Sequence, residues 1–143
     1  MKHLATCALG LITFLLLDKL WLGVIAYEFY QRELDFLLGP EFKLAPALLL
    51  YTLMTTAAFV FAVRPDIHDQ PLHGTIWRAA FLGFVTYAAY DLTNQTTIEN
   101  WPVIVTVVDT LWGAVAMTII SIVMHLTYRK FTGSSPGTQS PTV

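Results

Sequence analysis

Three aspartates lie inside stretches of sequence that are otherwise apolar, and they are the residues of this chain best suited to chemistry. Asp18 stands in "LLLDKLWLG", Asp91 in "YAAYDLTNQ" and Asp109 in "VTVVDTLWGAV". A carboxyl group removed from water favours its protonated form, so it can store a proton, bind a cation or act as a general acid or base. The three aspartates therefore indicate a site for proton- or cation-linked binding, transport or catalysis.

Aromatic and amide side chains recur around these aspartates at helical spacing. Trp21 follows Asp18 by three residues, and Trp112 follows Asp109 by the same step. Residues three or four apart lie on one face of a helix, so each tryptophan is expected beside its aspartate. The candidates for a ligand or proton site are Asp18, Asp91, Asp109, Asn94, Tyr87, Tyr90, Trp21, Trp112 and Lys19.

Metal and cofactor chemistry has little support in the sequence. The four histidines lie away from the aspartates: His3 and His125 are expected near one membrane boundary, and His68 and His73 in a loop. Cys7 is the single cysteine, so the chain cannot form an internal disulfide or a paired-cysteine metal site. Motifs of zinc proteases, serine hydrolases and nucleotide-binding loops are absent, and we expect no metal and no cofactor.

The composition is that of a membrane protein. Of the 143 residues, 55% are hydrophobic and only 13% are charged, whereas soluble domains carry about 25% charged residues. The net charge of −2 leaves no broad basic surface for nucleic acid. We therefore expect the lipid bilayer, and no nucleic acid, as the partner of this chain.

Four continuous apolar segments predict membrane-spanning helices. A helix needs about 20 residues to cross the hydrocarbon, and the alternating polarity of a membrane β-barrel is absent. The first segment is too long for the core of a signal peptide and contains Asp18 and Lys19, so we expect it to be retained. The predicted helices cover residues 4–26, 44–63, 75–95 and 102–127.

The predicted fold is an all-α integral membrane four-helix bundle, formed by a single domain at residues 1–130. The connection at residues 27–38 is amphipathic and aromatic, which predicts a short helix on the membrane surface. Residues 131–143 are rich in Ser, Thr, Gly and Pro and are expected to form a disordered tail.

Basic residues predict the orientation of these helices. With four spans, the N-terminus, the second connection and the C-terminus share one side of the membrane, and that side holds the larger number of Lys and Arg. Because Lys and Arg favour the cytoplasmic side, both termini are expected in the cytoplasm. The basic residues are Lys2, Arg64, Arg78, Arg129 and Lys130 on this side and Arg32 and Lys43 on the other.

The same orientation places the aspartates at a common depth. Asp18 lies about eight residues before the outer end of the first helix, Asp109 about seven residues after the start of the fourth, and Asp91 near the outer end of the third. At about 1.5 Å per residue, Asp18 and Asp109 would lie roughly 10–12 Å below the outer boundary. An aspartate facing lipid at the bilayer centre costs about 2.5–3.5 kcal/mol, so we expect all three to turn into the bundle.

The acid layer, defined as Asp18, Asp91 and Asp109, leaves three interpretations open. It forms a proton- or cation-linked site, and transport through it would require a homo-oligomer because four helices enclose no wide pore. Alternatively, it is the acid–base centre of an enzyme that modifies a lipid at the outer leaflet. In the third interpretation it specifies only helix packing. The bonds expected in that case are Asp18 to Trp112, Asp109 to Trp21 or Lys19, and Asp91 to tyrosine and asparagine.

Three blocks of the sequence resemble a known family. The blocks "LDKLWLG", "YAAYDLTNQTTIENWP" and "VDTLWG" are similar to the bacterial membrane-protein family catalogued as domain of unknown function 2177, over residues 4–128. The resemblance implies a four-helix protein of the bacterial inner membrane. It implies no activity, so no residue inherits a catalytic role. The positions that match the family's motifs are Asp18, Trp21, Tyr90, Asp91, Asn94, Trp101, Asp109 and Trp112.

Overall fold

The computed structural model describes residues 1–37, 39, 43–66 and 71–132, and every regular element within them is helical. Two π-helical turns, Trp21–Ile25 and Ala58–Val63, continue the first and third α-helices, and a 3-10 turn follows at Arg64–Asp66. The α-helices are α1 (Lys2–Leu20), α2 (Tyr27–Leu34), α3 (Leu44–Ala57), α4 (Leu72–Thr97) and α5 (Val103–Thr132).

The ends of three helices differ from those predicted. α4 begins directly after Pro71 and is longer at both ends than residues 75–95. α5 reaches Thr132, so the first two residues of the predicted tail are helical, and residues 133–143 lie outside the described residues. Arg129 and Lys130 in the last turn of α5 favour this extension, because basic side chains stabilise the negative end of the helix dipole. The surface helix predicted at residues 27–38 ends earlier, at Leu34.

A tight turn joins α4 to α5. The N–H of Ile98 donates to the carbonyl oxygen of Asn94 at 2.7 Å, which closes the end of α4. Asn100 then adopts a positive φ of 64°, a conformation that asparagine tolerates better than most residues. This turn reverses the chain, so that α4 and α5 run antiparallel and pack along their lengths, forming the most extensive helix pair of the fold.

Three helical stretches are long and apolar enough to cross a membrane, namely Lys2–Ile25, Leu44–Val63 and Val103–Phe131. Only 17% of the most apolar window in the first stretch is buried, so most of its apolar side chains point outward, where lipid would cover them. α4, with 26 residues, spans about 39 Å. Its polar residues nevertheless keep it out of this group, and a bundle of four spans is therefore still a prediction.

Small residues bring α4 and α5 together. Thr75, Ala79, Gly83 and Asp91 are the buried residues of α4, and they recur at helical spacing on one face. Gly83 lies directly against the backbone of Gly113, so close that a Cβ at Gly83 would overlap it. The hydrophobic core below and beside this contact is formed by Phe14, Ala58, Phe59, Val63, Ala116, Met117, Ile120, Met124 and Tyr128.

α3 is joined to the rest of the fold at two places. Its α-helical part packs on α1, whereas the π-helical turn that continues it packs against α4 and α5. Two cavities flank the α-helical part as a result. One, of about 160 Å³, lies between Phe14, Met54 and Tyr87. The other, of about 480 Å³, lies between α3 and the end of α1.

Candidate functional site

Asp18 joins three helices through its carboxylate. The hydroxyl of Tyr51 on α3 donates to Oδ2 at 2.7 Å, and the indole Nε1–H of Trp112 on α5 donates to Oδ1 at 2.9 Å. Asp18 is 7% exposed, so these bonds replace almost all of its contact with solvent or lipid. The bond from Trp112 to Asp18 that the packing interpretation predicts is therefore present.

Asp109 is bonded to the surface helix α2 rather than directly to Trp21. The hydroxyl of Tyr30 donates to Oδ1 of Asp109, and the Nε1–H of Trp21 donates to the Tyr30 oxygen at 3.1 Å. Burial raises the pKa of Tyr30, and the bond to the Asp109 carboxylate raises it further. Tyr30 therefore keeps its proton and acts as a donor to Asp109. The predicted link between Asp109 and Trp21 exists only through this tyrosine.

The two tryptophans stack on each other between the aspartates. The rings of Trp21 and Trp112 lie 4.4 Å apart and are nearly parallel, at 5°. In the antiparallel register of α1 and α5, Asp18 faces Trp112 while Trp21 lies on the side of Asp109. The two aspartates are therefore offset by about three residues, roughly 4.5 Å along the helices. Asp18 meets the indole of Trp112 and Asp109 meets the hydroxyl of Tyr30, so neither is bonded to the other carboxylate.

Asp91 differs from the other two aspartates. Its exposed fraction is 0%, and neither carboxylate oxygen has a hydrogen-bond partner among the described residues. Nδ2 of Asn94, one turn further along α4, is also buried without a partner. The bonds from tyrosine and asparagine to Asp91 that the packing interpretation expects are therefore absent. Tyr90 cannot do so because it points away from the core, is 62% exposed and packs against Trp101.

The three aspartates nevertheless converge, and they do so around Tyr87. The carboxylates of Asp18, Asp91 and Asp109 all lie close enough to act electrostatically on the Tyr87 hydroxyl. The Tyr87 ring itself rests against Gly113, where a larger residue would collide with it. A glycine in α5 thus makes the space that the aromatic ring of Tyr87 on α4 occupies.

Lys19 lies outside this cluster. Its side chain is exposed and lines the larger cavity beside α3. In the part of the chain that the structure describes, no ion pair joins Lys19 to Asp109, so the Lys19 alternative of the packing interpretation is absent. Lys19 follows Asp18 directly, and consecutive residues of a helix point about 100° apart. Lys19 therefore forms no ion pair with the acid layer.

Sequence reasoning missed the roles of Tyr30 and Tyr51. Neither is among the site candidates named from the sequence, and Tyr30 enters there only as part of the surface helix predicted at residues 27–38. Both hydroxyls are the direct donors to the acid layer. No local pattern identifies them, because each acts on an aspartate of another helix whose position only the packing determines.

A second polar region lies at the opposite end of the bundle. His125 is fully buried, and its Nδ1 lies 2.8 Å from the hydroxyl of Thr75. His3 packs its ring against Tyr128 at 5.2 Å. Neither histidine approaches the acid layer, and His68 lies outside the described residues. Within residues 1–37, 39, 43–66 and 71–132, no three His, Cys, Asp or Glu side chains are grouped to hold a metal ion.

Replacing Tyr30 with phenylalanine should release α2 from the bundle. Asp109 would lose its donor and Trp21 its acceptor, at a cost of about 1–3 kcal/mol. We expect faster amide hydrogen exchange in residues 27–34, measured by mass spectrometry, with unchanged exchange in α4. The matched control is Tyr27→Phe, because Tyr27 belongs to the same helix but is exposed. Equal exchange in the two variants would contradict the role of Tyr30.

Together, the apolar helices with outward-facing side chains and the buried carboxylates define a helical membrane protein. The chain belongs to the family described as predicted membrane protein, domain of unknown function 2177, whose profile matches residues 3–126. The match covers every described residue of the acid layer and most of α5. No curated protein and no solved structure matches the chain.

Proposed function

We propose that this protein is a multi-pass protein of the bacterial inner membrane whose acid layer forms a proton- or cation-linked binding site for a small or amphiphilic ligand. In this proposal residues 1–130 form one domain, α4 is the third of four spans, and both termini are cytoplasmic. The length of α4 and its packing along α5 support the third span. The distribution of Lys and Arg supports the orientation.

The observation that carries the proposal is the state of Asp91. Its carboxyl group is completely buried and has no hydrogen-bond partner among the described residues. An unpaired carboxylate in a low-dielectric interior is costly, and a neutral carboxyl group still requires a partner for its O–H. A proton together with a ligand that offers polar groups meets both requirements. A purely structural residue would be expected to have its partners within the protein.

The electrostatics of the acid layer point to the same chemistry. Asp91, Asp109 and Asp18 all act electrostatically on the Tyr87 hydroxyl, and no ion pair to Lys or Arg compensates them in the described part of the chain. Several like charges in one buried site repel one another, so the layer is stable only when a proton or a bound cation neutralises part of its charge. Binding of a cationic group would therefore release a proton, and the two events would be linked.

The aspartates divide into two roles in this proposal. Asp18 and Asp109 are held by tyrosine and tryptophan donors, which fix their positions. Asp91 has unused hydrogen-bonding capacity and is the ligand-binding member. Asn94 contributes a second unsatisfied group, its Nδ2, one turn away. Movement of a ligand across the membrane through such a small unit would require a homo-oligomer.

A purely structural acid layer is the second candidate, and the bonds of Asp18 favour it. Tyr51 and Trp112 bind Asp18 from two other helices, as expected for a residue that specifies packing. This candidate accounts for Asp18 and, through Tyr30, for Asp109. It leaves Asp91 unexplained, and for that reason we prefer a binding site.

Replacing Asp91 with asparagine should remove a titratable group from the membrane interior. We expect infrared difference spectra of the protein in nanodiscs to contain the C=O band of a buried protonated carboxyl group at low pH. This band should decrease as the pH rises and should be absent from Asp91→Asn at every pH. Asp35→Asn is the matched control, because Asp35 is exposed in the turn after α2.

A cationic amphiphile should compete with the proton at this site. Dodecylammonium is expected to lower the carboxyl band of the wild-type protein, whereas dodecanol, which has the same chain but no charge, should leave it unchanged. An undiminished band in Asp91→Asn, or equal responses to the two amphiphiles, would refute a proton- or cation-linked site at Asp91.

A further inference from the structure

The larger cavity is a groove between the end of α1 and the start of α3, with a volume of about 480 Å³. That volume lies in the range of about 300–1,000 Å³ typical of small-molecule sites. Its walls include the apolar side chains of Leu15, Leu22 and Leu48. The α-helical part of α3 packs on α1, and no residue of α4 or α5 lines the groove. Its shape and lining suit an acyl chain that enters from the bilayer.

The polar end of the groove presents opposite charges side by side. Asp18 and Lys19 both line it. They do so although consecutive residues of a helix point about 100° apart. The Asp18 oxygens each accept one hydrogen bond and keep further lone-pair capacity for a donor. Lys19 forms no ion pair with a described carboxylate. The groove therefore offers an acceptor with negative charge and an unpaired ammonium within reach of one ligand.

The position of Lys19 along the span matches the depth of a lipid headgroup linkage. The first candidate span ends at Ile25, six residues beyond Lys19, which corresponds to about 9 Å along the helix. A lysine at such a depth extends its ammonium toward the interface while its methylenes stay in the hydrocarbon. Extended in this way, the ammonium can meet an anionic group of a lipid at the interface.

We propose that this groove binds one phospholipid whose headgroup carries both a phosphate and a protonated amine. The acyl chain lies along Leu15 and Leu48, the phosphate binds Lys19, and the ammonium group donates to Asp18. The site shares the ionised Asp18 with the acid layer, but it includes neither Asp91 nor Asp109. It adds a lipid site between α1 and α3 to the proposed ligand site at Asp91.

Gly23 allows the groove to be blocked without altering a charge. It lines the groove in the π-helical turn after α1, and a Cβ placed there would meet no atom within 4 Å. Gly23→Leu should therefore fill the groove and leave the fold intact. Val24→Leu is the matched control, because Val24 is adjacent, 70% exposed and not part of the lining.

Native mass spectrometry of the full chain in mild detergent tests the proposal. Phosphatidylethanolamine, phosphatidylcholine and phosphatidylglycerol with identical acyl chains are titrated separately. We expect one phosphatidylethanolamine to bind about tenfold more tightly than either of the others, since charge-assisted hydrogen bonds from its amine and to its phosphate both form. Soluble O-phosphoethanolamine should not displace it, because the acyl chain contributes to binding.

Substitutions of Lys19 and Asp18 test separately the binding of the phosphate and of the amine of the headgroup. Lys19→Gln should weaken phosphatidylethanolamine binding about tenfold, whereas Lys130→Gln, an exposed lysine at the end of α5, should not. Asp18→Asn should remove the preference for phosphatidylethanolamine over phosphatidylglycerol. Gly23→Leu should abolish the single bound lipid and Val24→Leu should retain it. Each variant is checked by circular dichroism and size-exclusion chromatography.

Equal binding of the three lipids, or full retention of the lipid by both Lys19→Gln and Gly23→Leu, would overturn the proposal. Displacement by soluble O-phosphoethanolamine would also overturn it, since the ligand would then be a soluble phosphate compound. If Gly23→Leu fails the folding checks, the comparison of Lys19→Gln with Lys130→Gln decides the result.

Discussion

Replacing Gly83 with alanine is expected to cause a large loss of stability. An alanine Cβ at this position would overlap the carbonyl group of Gly113 and lie 2.9 Å from the Cβ of Met117. The Gly113 carbonyl belongs to the backbone of α5, so it cannot move aside without moving the helix. Separation of α4 and α5 would loosen the most extensive helix contact of the fold. Overpacking of this kind costs about 1–3 kcal/mol, and backbone contact places Gly83→Ala at the upper end.

Two other glycines provide a graded control series. At Gly10 the added Cβ would lie 2.6 Å from the sulfur of Met124, and a methionine side chain can adjust, so a smaller loss is expected. At Gly23 nothing lies within 4 Å, and the higher helix propensity of alanine should leave stability unchanged or slightly increased. Unfolding in mixed detergent micelles, followed by circular dichroism, gives the three free energies. An equal effect at all three positions would show that close packing of α4 on α5 is not the cause.

Replacing Asp18 with leucine is the second change from which we expect a large effect. The substitution removes the acceptor for both Tyr51 and Trp112 and leaves two donors without partners. A buried donor without a partner costs about 1–3 kcal/mol, although bonds between membrane helices average only about 0.6 kcal/mol. We therefore expect a loss of about 2–4 kcal/mol in the free energy of unfolding. Asp18→Asn should lose less, because its side-chain oxygen still accepts from Trp112.

A double-mutant cycle isolates the bond between Asp18 and Tyr51. Tyr51→Phe removes the hydroxyl but keeps the ring that packs edge-on against Phe14 at 5.0 Å. If the bond stabilises the fold, the double variant Asp18→Leu with Tyr51→Phe should lose less stability than the sum of the single variants. Additive losses would mean that Tyr51 and Asp18 contribute independently. The cycle uses Asp18→Leu and not Asp18→Ala, because the smaller alanine would leave a cavity that has its own energetic cost.

Local sequence was sufficient to predict the helical segments. Long apolar runs identify α1, α3 and α5, and their low burial agrees with a lipid-facing surface. The segment of α4 was identified as helical but was predicted too short, because its polar ends carry no apolar periodicity. Those ends are helical through contact with α5 and through the cap at Ile98, which the apolar pattern alone does not reveal.

The convergence of the acid layer was predictable, but its internal contacts were not. Depth counting brings Asp18, Asp91 and Asp109 to a similar level, and all three act on the Tyr87 hydroxyl. Counting residues cannot resolve an offset of about three residues, which decides which donor each aspartate meets: the indole of Trp112 for Asp18 and the hydroxyl of Tyr30 for Asp109. The contact of Asp109 with Tyr30 also depends on how α2 folds back onto the π-helical turn.

The amino-acid sequence by itself determined that this is a helical membrane protein of its family and that its polar residues of interest are three aspartates in apolar helices. Those properties follow from the free-energy cost of exposing charged side chains and unpaired backbone groups to lipid. This cost applies to every possible arrangement of the helices. The tertiary structure alone decided which aspartates are satisfied. Asp18 and Asp109 meet donors from other helices, whereas Asp91 does not, because a hydrogen bond requires a separation of about 3 Å that only the packing of distant segments can set.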